Sequence, residues 1–320
     1  MTSSRPAQDS CRSVDRSHLI DALKLLAMGM VVLTHVLGLR HEFKSLSPQT
    51  VDVMVAFNMP LFTFLSGFVT FGREGARPLR FLRGKALGLL IPYLAWIAVE
   101  LPLRHYPPSA WLPRLAGALV DPHLGLQMWF LWLLFWLFTL FTVVRAISRN
   151  EWWLGAGAVA VGATLFVGST TVFGLDKIAW LYPFFIFGYL VAKHRTALAR
   201  YATAAAIVSA ISFPLLVLVG GEGVGLRFLT ALAGVGFAWA GLRMLPLRAL
   251  ALIGFVGQKT LGLYGWQMVV LPYLIVGSGW PGALGSWALV MSVATLLTVV
   301  LERFWATRAV FLGQWPRAWR

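Results

Sequence analysis

The residues able to do chemistry in this chain are few, and several sit where charge is expensive. The apolar stretch SHLIDALKLLAMGMVVLTHVLGLR contains Asp21, Lys24 and His35. A helical residue turns by about 100°, so Lys24 and His35, eleven steps apart, point within about 20° of each other. Asp21 and Lys24 differ by about 300°, which gathers all three into a stripe about 60° wide. The rise per residue of about 1.5 Å separates Lys24 from His35 by about 16 Å. An imidazole is the side chain best suited to take a proton from a hydroxyl near neutral pH. A polar stripe of this length inside hydrocarbon implies a tunnel or buried path, because lipid does not solvate it. The plainer alternative is a Lys–Asp pair that locks helix packing, with an isolated packed histidine.

Other polar groups are scattered along the apolar runs. VDVMVAFNMPLFTFLSGFVTFG carries Asn58, Pro60 and Ser66-Gly67. Pro60 removes a backbone donor, and Ser66-Gly67 admits a close neighbouring helix. Arg80, Arg83 and Lys85 cluster in one loop; Arg80 and Arg83 share a helical face, and such a cluster suits phosphates or anionic lipid headgroups. Trp129 and Tyr182 lie in aromatic-rich runs that suit either an interfacial belt or a substrate surface. Tyr264 and Gln267 are further candidates for substrate binding. Glu100, Asp121, His123 and Asp176 fall at or beyond span ends, and Glu302 is expected to pair with Arg303 or Arg308.

These groups must be positioned by membrane-spanning helices. Of 320 residues, 58% are hydrophobic and only 12% charged, against about 25% charged in a soluble domain. This composition excludes a disordered chain, and the basic residues are too thinly spread for a nucleic-acid-binding face. A span needs about 20 apolar residues. Ten stretches qualify: 18–40, 51–71, 86–103, 125–145, 152–172, 176–193, 201–219, 225–243, 257–277 and 283–304. The fold class is therefore all-α and polytopic. A tail over 1–17 precedes a ten-helix domain over 18–304, and a basic tail follows over 305–320.

Net charge is +15, from 27 Lys+Arg against 12 Asp+Glu. With a cytoplasmic N-terminus, the outer segments hold only Arg40, Lys44, Arg104, Arg114, Lys177 and Arg227, and Lys24 lies within a span. The other basic residues face inward. The positive-inside rule then puts both termini in the cytoplasm and, in a bacterium, the chain in the inner membrane. The single cysteine, Cys11, excludes an internal disulfide and a cysteine metal site. The chain has no nucleotide-binding P-loop and no H-E-x-x-H zinc motif; no metal is expected.

At this point the residues resemble a known family, the membrane acyltransferase 3 family, and within it the fucose 4-O-acetylase-like branch. The match rests on Lys24, ten residues and His35; on Phe57-Asn58-Met59-Pro60-Leu61-Phe62 with Leu65-Ser66-Gly67-Phe68; and on Arg80-x-x-Arg83 leading into Ile91-Pro92-Tyr93. Met128-Trp129-Phe130-Leu131 and Phe184-Phe185-x-x-Gly188 complete it. Gln267 stands where the family commonly has His. The resemblance implies an O-acyltransferase that moves acetyl from cytoplasmic acetyl-CoA to a hydroxyl of an extracytoplasmic or lipid-linked carbohydrate. His35 would be base or acyl carrier, with Lys24, Asp21 and Asn58 in support. Arg80, Arg83 and Lys85 would hold the donor's phosphates, and Trp129, Tyr182, Tyr264 and Gln267 the substrates. The competing expectation is a secondary transporter or exporter of a glycan or small metabolite, whose usual marks are inverted repeats and paired broken helices.

Overall fold

The computed structural model describes residues 5–40, 43, 56–72, 77–148, 150–167, 174–220 and 223–316, with the side chains at 5–17, 125–126 and 165–167 left aside. Within these residues the chain is helical and contains no strand. The first helix, α1 (Arg5–Leu39), is followed by α2 (Asn58–Phe68), α3 (Pro78–Leu103) and α4 (Pro108–Val120). A 3-10 segment, Pro122–Met128, leads into α5 (Trp129–Ile147), α6 (Glu151–Val167) and α7 (Leu175–Lys193). Then come α8 (Arg195–Leu198), α9 (Ala202–Val219), α10 (Val224–Arg243), α11 (Leu247–Gly257), α12 (Thr260–Val270), α13 (Gly279–Glu302) and α14 (Trp305–Leu312).

Seven helices among the described residues are long and apolar enough to cross a bilayer: His18–Leu39, Pro78–Leu103, Trp129–Ile147, Leu175–Lys193, Arg195–Val219, Val224–Arg243 and Gly279–Glu302. The other three expected stretches differ. Part of 51–71 lies outside the described residues, leaving α2. α6 is described over 17 residues. The stretch 257–277 divides: α12 stops at Val270, a 3-10 turn covers Leu271–Tyr273, and irregular chain follows. Pro272 explains the break, since it cannot continue the backbone ladder and disfavours helical geometry just before it. α1 also begins well before the apolar run, within the expected tail.

The surface argues for a bilayer. α9 buries no residue and presents Val208 (62% exposed) and Leu218 (80%) outward. In water such a helix would be an aggregation site; in hydrocarbon it is an ordinary outer wall.

α1 lies at the centre. Its lower half, with Leu19, Leu23 and Ala27, joins a core with Phe64 and Phe68 of α2, Val235 and Ala238 of α10, and Leu250 of α11. Its upper half, from Met28 to Leu37, joins a second core with residues of α3, α5, α7, α12 and α13. α2 and α7 cross at backbone contact: a Cβ on Gly67 would lie 1.9 Å from the Phe185 carbonyl oxygen, and one on Gly188 2.0 Å from that of Phe64. The close approach expected at Ser66-Gly67 is therefore made, and Gly188 is its counterpart.

Candidate active site

α1 is pinned at three heights, and this fixes which way its polar stripe points. At the lower end, a Cβ on Gly257 of α11 would sit 1.8 Å from the Asp21 carbonyl oxygen, so the two backbones touch there. In the middle, the Trp287 indole of α13 donates to the Gly29 carbonyl at 2.8 Å. At the upper end, Arg40 is only 5% exposed. Its Nη2 donates to the Val276 carbonyl at 2.6 Å, the Gly277 carbonyl at 3.3 Å and Ser286 Oγ at 3.2 Å. Ser286 Oγ in turn accepts from the Val276 backbone N–H at 2.9 Å.

On the helix so held, Lys24 Nζ donates to Asp21 Oδ1 at 2.9 Å, with the Lys24 side chain 32% exposed. His35 is half-buried about a turn and a half below Arg40. Its ring makes no hydrogen bond to a described residue. Between Lys24 and His35 the same face carries Met28 and Val31, 1% and 2% exposed, so the stripe is polar at its ends and apolar in its middle.

The remaining candidates fall into four groups. Asn58 opens α2 and is 2% exposed, with its Oδ1 turned to the Met59 backbone N–H at 2.6 Å. Arg80 and Arg83 are exposed on the first turns of α3. Lys85 differs from them: its ammonium lies over the Phe138 ring at 3.7 Å and the Phe81 ring at 5.2 Å. Past the middle of α3, the Tyr93 hydroxyl donates to the Ala118 carbonyl at 2.8 Å and the Trp132 indole to that of Leu119 at 2.9 Å, which seats α4 over the start of α5. Trp129 begins α5 there, and Tyr264 reaches the same place by donating to the Gln127 carbonyl. Tyr182 and Gln267 are wholly buried; the Tyr182 hydroxyl and both amide atoms of Gln267 have no partner among the described residues.

The structure thus joins Asp21 to Lys24, and Tyr264 to the segment just before Trp129. It does not join Lys24 to His35. Glu302 pairs with Lys259, not with Arg303 or Arg308. The reason is geometric: α13 ends beside the turn between α11 and α12, so a neighbouring element offers a cation where the next residue in sequence points away. Sequence reasoning also missed Arg40, taken only as an outer charge. Its signal was its place at the very end of an apolar run. Gly254-x-x-Gly257, the pair of small residues that seats α11 on α1, was another signal. Among the described residues no group of His, Cys, Asp and Glu is placed to hold a metal ion.

No curated protein and no solved structure matches the chain. A family model described as an acyltransferase domain matches residues 18–303, from the start of the apolar part of α1 to the end of α13. With helices built for a bilayer and a match over nearly its whole length, the chain belongs to the acyltransferase 3 family of membrane acyltransferases.

Proposed function

We propose that this membrane acyltransferase moves an acetyl group from cytoplasmic acetyl-CoA to a hydroxyl of a carbohydrate, free or lipid-linked, on the other side of a bacterial inner membrane. In this reading the chain crosses ten times, both termini are cytoplasmic, and its relatives are the fucose 4-O-acetylase-like branch. The observation that carries the reading is α1 itself: a Lys24–Asp21 pair near one end, His35 without a hydrogen bond to any described residue near the other, and both on one face.

Arg80 and Arg83 take the donor's phosphates by charge-assisted hydrogen bonds, with Lys85 behind them over Phe138. Lys24 meets the donor's arm near one end of the stripe and the thioester reaches His35 near the other; Met28 and Val31, packed between them, must move apart to admit the arm. At His35 a ring nitrogen takes the proton of the acceptor hydroxyl as its oxygen attacks the thioester carbonyl. The carbon–sulfur bond then breaks and the thiolate leaves with a proton returned by the imidazolium. Asn58 steadies the charge on the carbonyl oxygen. Lys24 is too far for that task, about 16 Å along the helix. In the alternative route His35 carries the acetyl group itself. An acetyl adduct on His35 in acid-quenched protein marks that route, and turnover without an adduct marks direct transfer.

The test is acetyl transfer to envelope glycan in cells carrying His35→Ala. A general base contributes about 10²- to 10⁴-fold, and a loss in that range is expected. A well-expressed, fully active variant would overturn the mechanism. Radiolabelled acetyl-CoA consumption by purified protein separates an enzyme from a transporter, which would consume none.

A further inference from the structure

At the end of the bundle away from Arg80 and Arg83, four side chains from two separate stretches meet. Lys177, in the first turn of α7, has its Nζ 3.4 Å from His123 Nε2 of the 3-10 segment and 3.4 Å from Asp176 Oδ2. The same ammonium lies 5.7 Å from the centre of the Trp129 ring. His123 is exposed, and Trp129, Asp176 and Lys177 are half-buried, so a ligand has access to all four.

The arrangement is built, not incidental to two loops. Asp121 Oδ1 accepts from the His123 backbone N–H at 2.9 Å and so fixes the start of the 3-10 segment. Gly174, at φ +59°, lets α7 begin hard against that segment: a Cβ there would lie 2.8 Å from Pro122 Cγ. Asp176 Oδ1 is buried and has no hydrogen-bond partner among the described residues, so Oδ2, beside Lys177 on a side chain that is part-exposed, is the oxygen a ligand reaches.

We propose that Trp129, His123, Asp176 and Lys177 form the acceptor subsite, and that its occupant is a pyranose presenting neighbouring hydroxyls. The chemistry of the four groups selects that class. An ammonium only donates, a carboxylate only accepts, and a neutral imidazole does both. Vicinal hydroxyls are donor and acceptor at once and match all three. An apolar ligand would leave the charges unmatched, and a simple anion would meet Asp176 as a like charge. The indole supplies a flat apolar face for the C–H side of the ring. This inference rests on the carbohydrate-acceptor reading above, and it places the acceptor beside Gln127, whose carbonyl receives Tyr264.

The probe is a panel of immobilised oligosaccharides of defined structure, read with the detergent-purified full-length chain. Acetyl-CoA binding and thermal unfolding are measured in parallel. Wild type should bind a subset of the panel. Trp129→Ala and Asp176→Asn should each weaken that binding by about ten- to a hundredfold, with acetyl-CoA binding unchanged. Gly174→Ala should weaken it too, by parting the two stretches without removing any of the four groups; it and Asp176→Asn carry the test should Trp129→Ala unfold. Glycan binding that survives in the folded variants overturns the subsite. A wild type that binds no sugar on the panel overturns carbohydrate as its occupant. Failure of wild type to bind acetyl-CoA strikes the donor reading alone and leaves the glycan result standing.

Discussion

The two ends of α1 are held by opposite means. At the lower end the helix is clasped backbone to backbone, Asp21 against Gly257, and its charged side chains pair with each other. At the upper end a side chain does the holding: Arg40 is buried and reaches across to two carbonyls of the chain entering α13 and a hydroxyl of α13 itself. His35 lies between the upper anchor and the Trp287–Gly29 bond, and takes no part in either. In the proposed mechanism, this difference is what keeps the reactive group available. Structural hydrogen bonds are made by its neighbours along the helix, so the imidazole is aimed without being used up.

The largest test of this contrast compares the ends directly. His35→Gln should lower kcat by about 10²-fold or more with little change in KM for acetyl-CoA. Lys24→Met should raise that KM and largely spare kcat. Steady-state kinetics on purified protein reads both, and identical effects from the two variants would abolish the division of labour. Next in size is Gly257→Ala. The new methyl meets the Asp21 carbonyl, and overpacking of this kind costs about 1–3 kcal/mol. Thermal unfolding should show the loss, and acetyl-CoA binding should fall with it because Asp21 and Lys24 move.

Arg40→Met tests the upper anchor. It leaves the Val276 and Gly277 carbonyls without the guanidinium, a loss of about 1.5–3 kcal/mol for hydrogen bonds to a charged group. Lower thermal stability with a reduced kcat would show that the anchor also aims His35; lower stability alone would make it purely structural. Lys259→Gln removes the Glu302 partner on the side of Arg80 and Arg83. That pair is part-exposed, and its loss should cost no more than about 1 kcal/mol.

The smallest effect concerns pH. Hydrogen bonds from Lys193, then from His194, hold the Glu151 carboxyl below the usual carboxylate range. A group whose pKa is lowered by folding adds stability above its ordinary range and loses it as pH falls through the lowered value. Glu151→Gln should therefore lower stability slightly at neutral pH, leave it unchanged below the lowered pKa where the carboxyl is already protonated, and so flatten the acid limb; the effect is small because the pair is part-exposed.

Much of the architecture was legible before any coordinates. The extents of α9, α10 and α13 follow apolar run length, which bilayer thickness dictates; the division between α6 and α7 was the weakest, marked only by a short polar stretch around Asp176 and Lys177. The short helices α4, α11 and α14 were not legible. Their sequences lack a span's length, and their helicity comes from packing on their neighbours. α14 shows this: the Trp96 indole donates to the Phe311 carbonyl at 3.1 Å and the Trp315 indole to that of Leu87 at 2.8 Å, so a stretch that reads as a basic tail is tied along α3.

For the candidate site, periodicity alone determined that Asp21, Lys24 and His35 share a face, because the helical turn is a local property of the backbone. The aromatic and polar residues at the far end were also nameable one by one. Only the tertiary structure decided that Met28 and Val31 close the stripe's middle, that Lys85 rests on aromatic rings, and that Glu302 turns to Lys259. The same holds for His123 meeting Lys177 across 54 positions of sequence. Each of these depends on which helix lies beside which, and that is settled by packing between segments far apart in the chain, where no local pattern reaches.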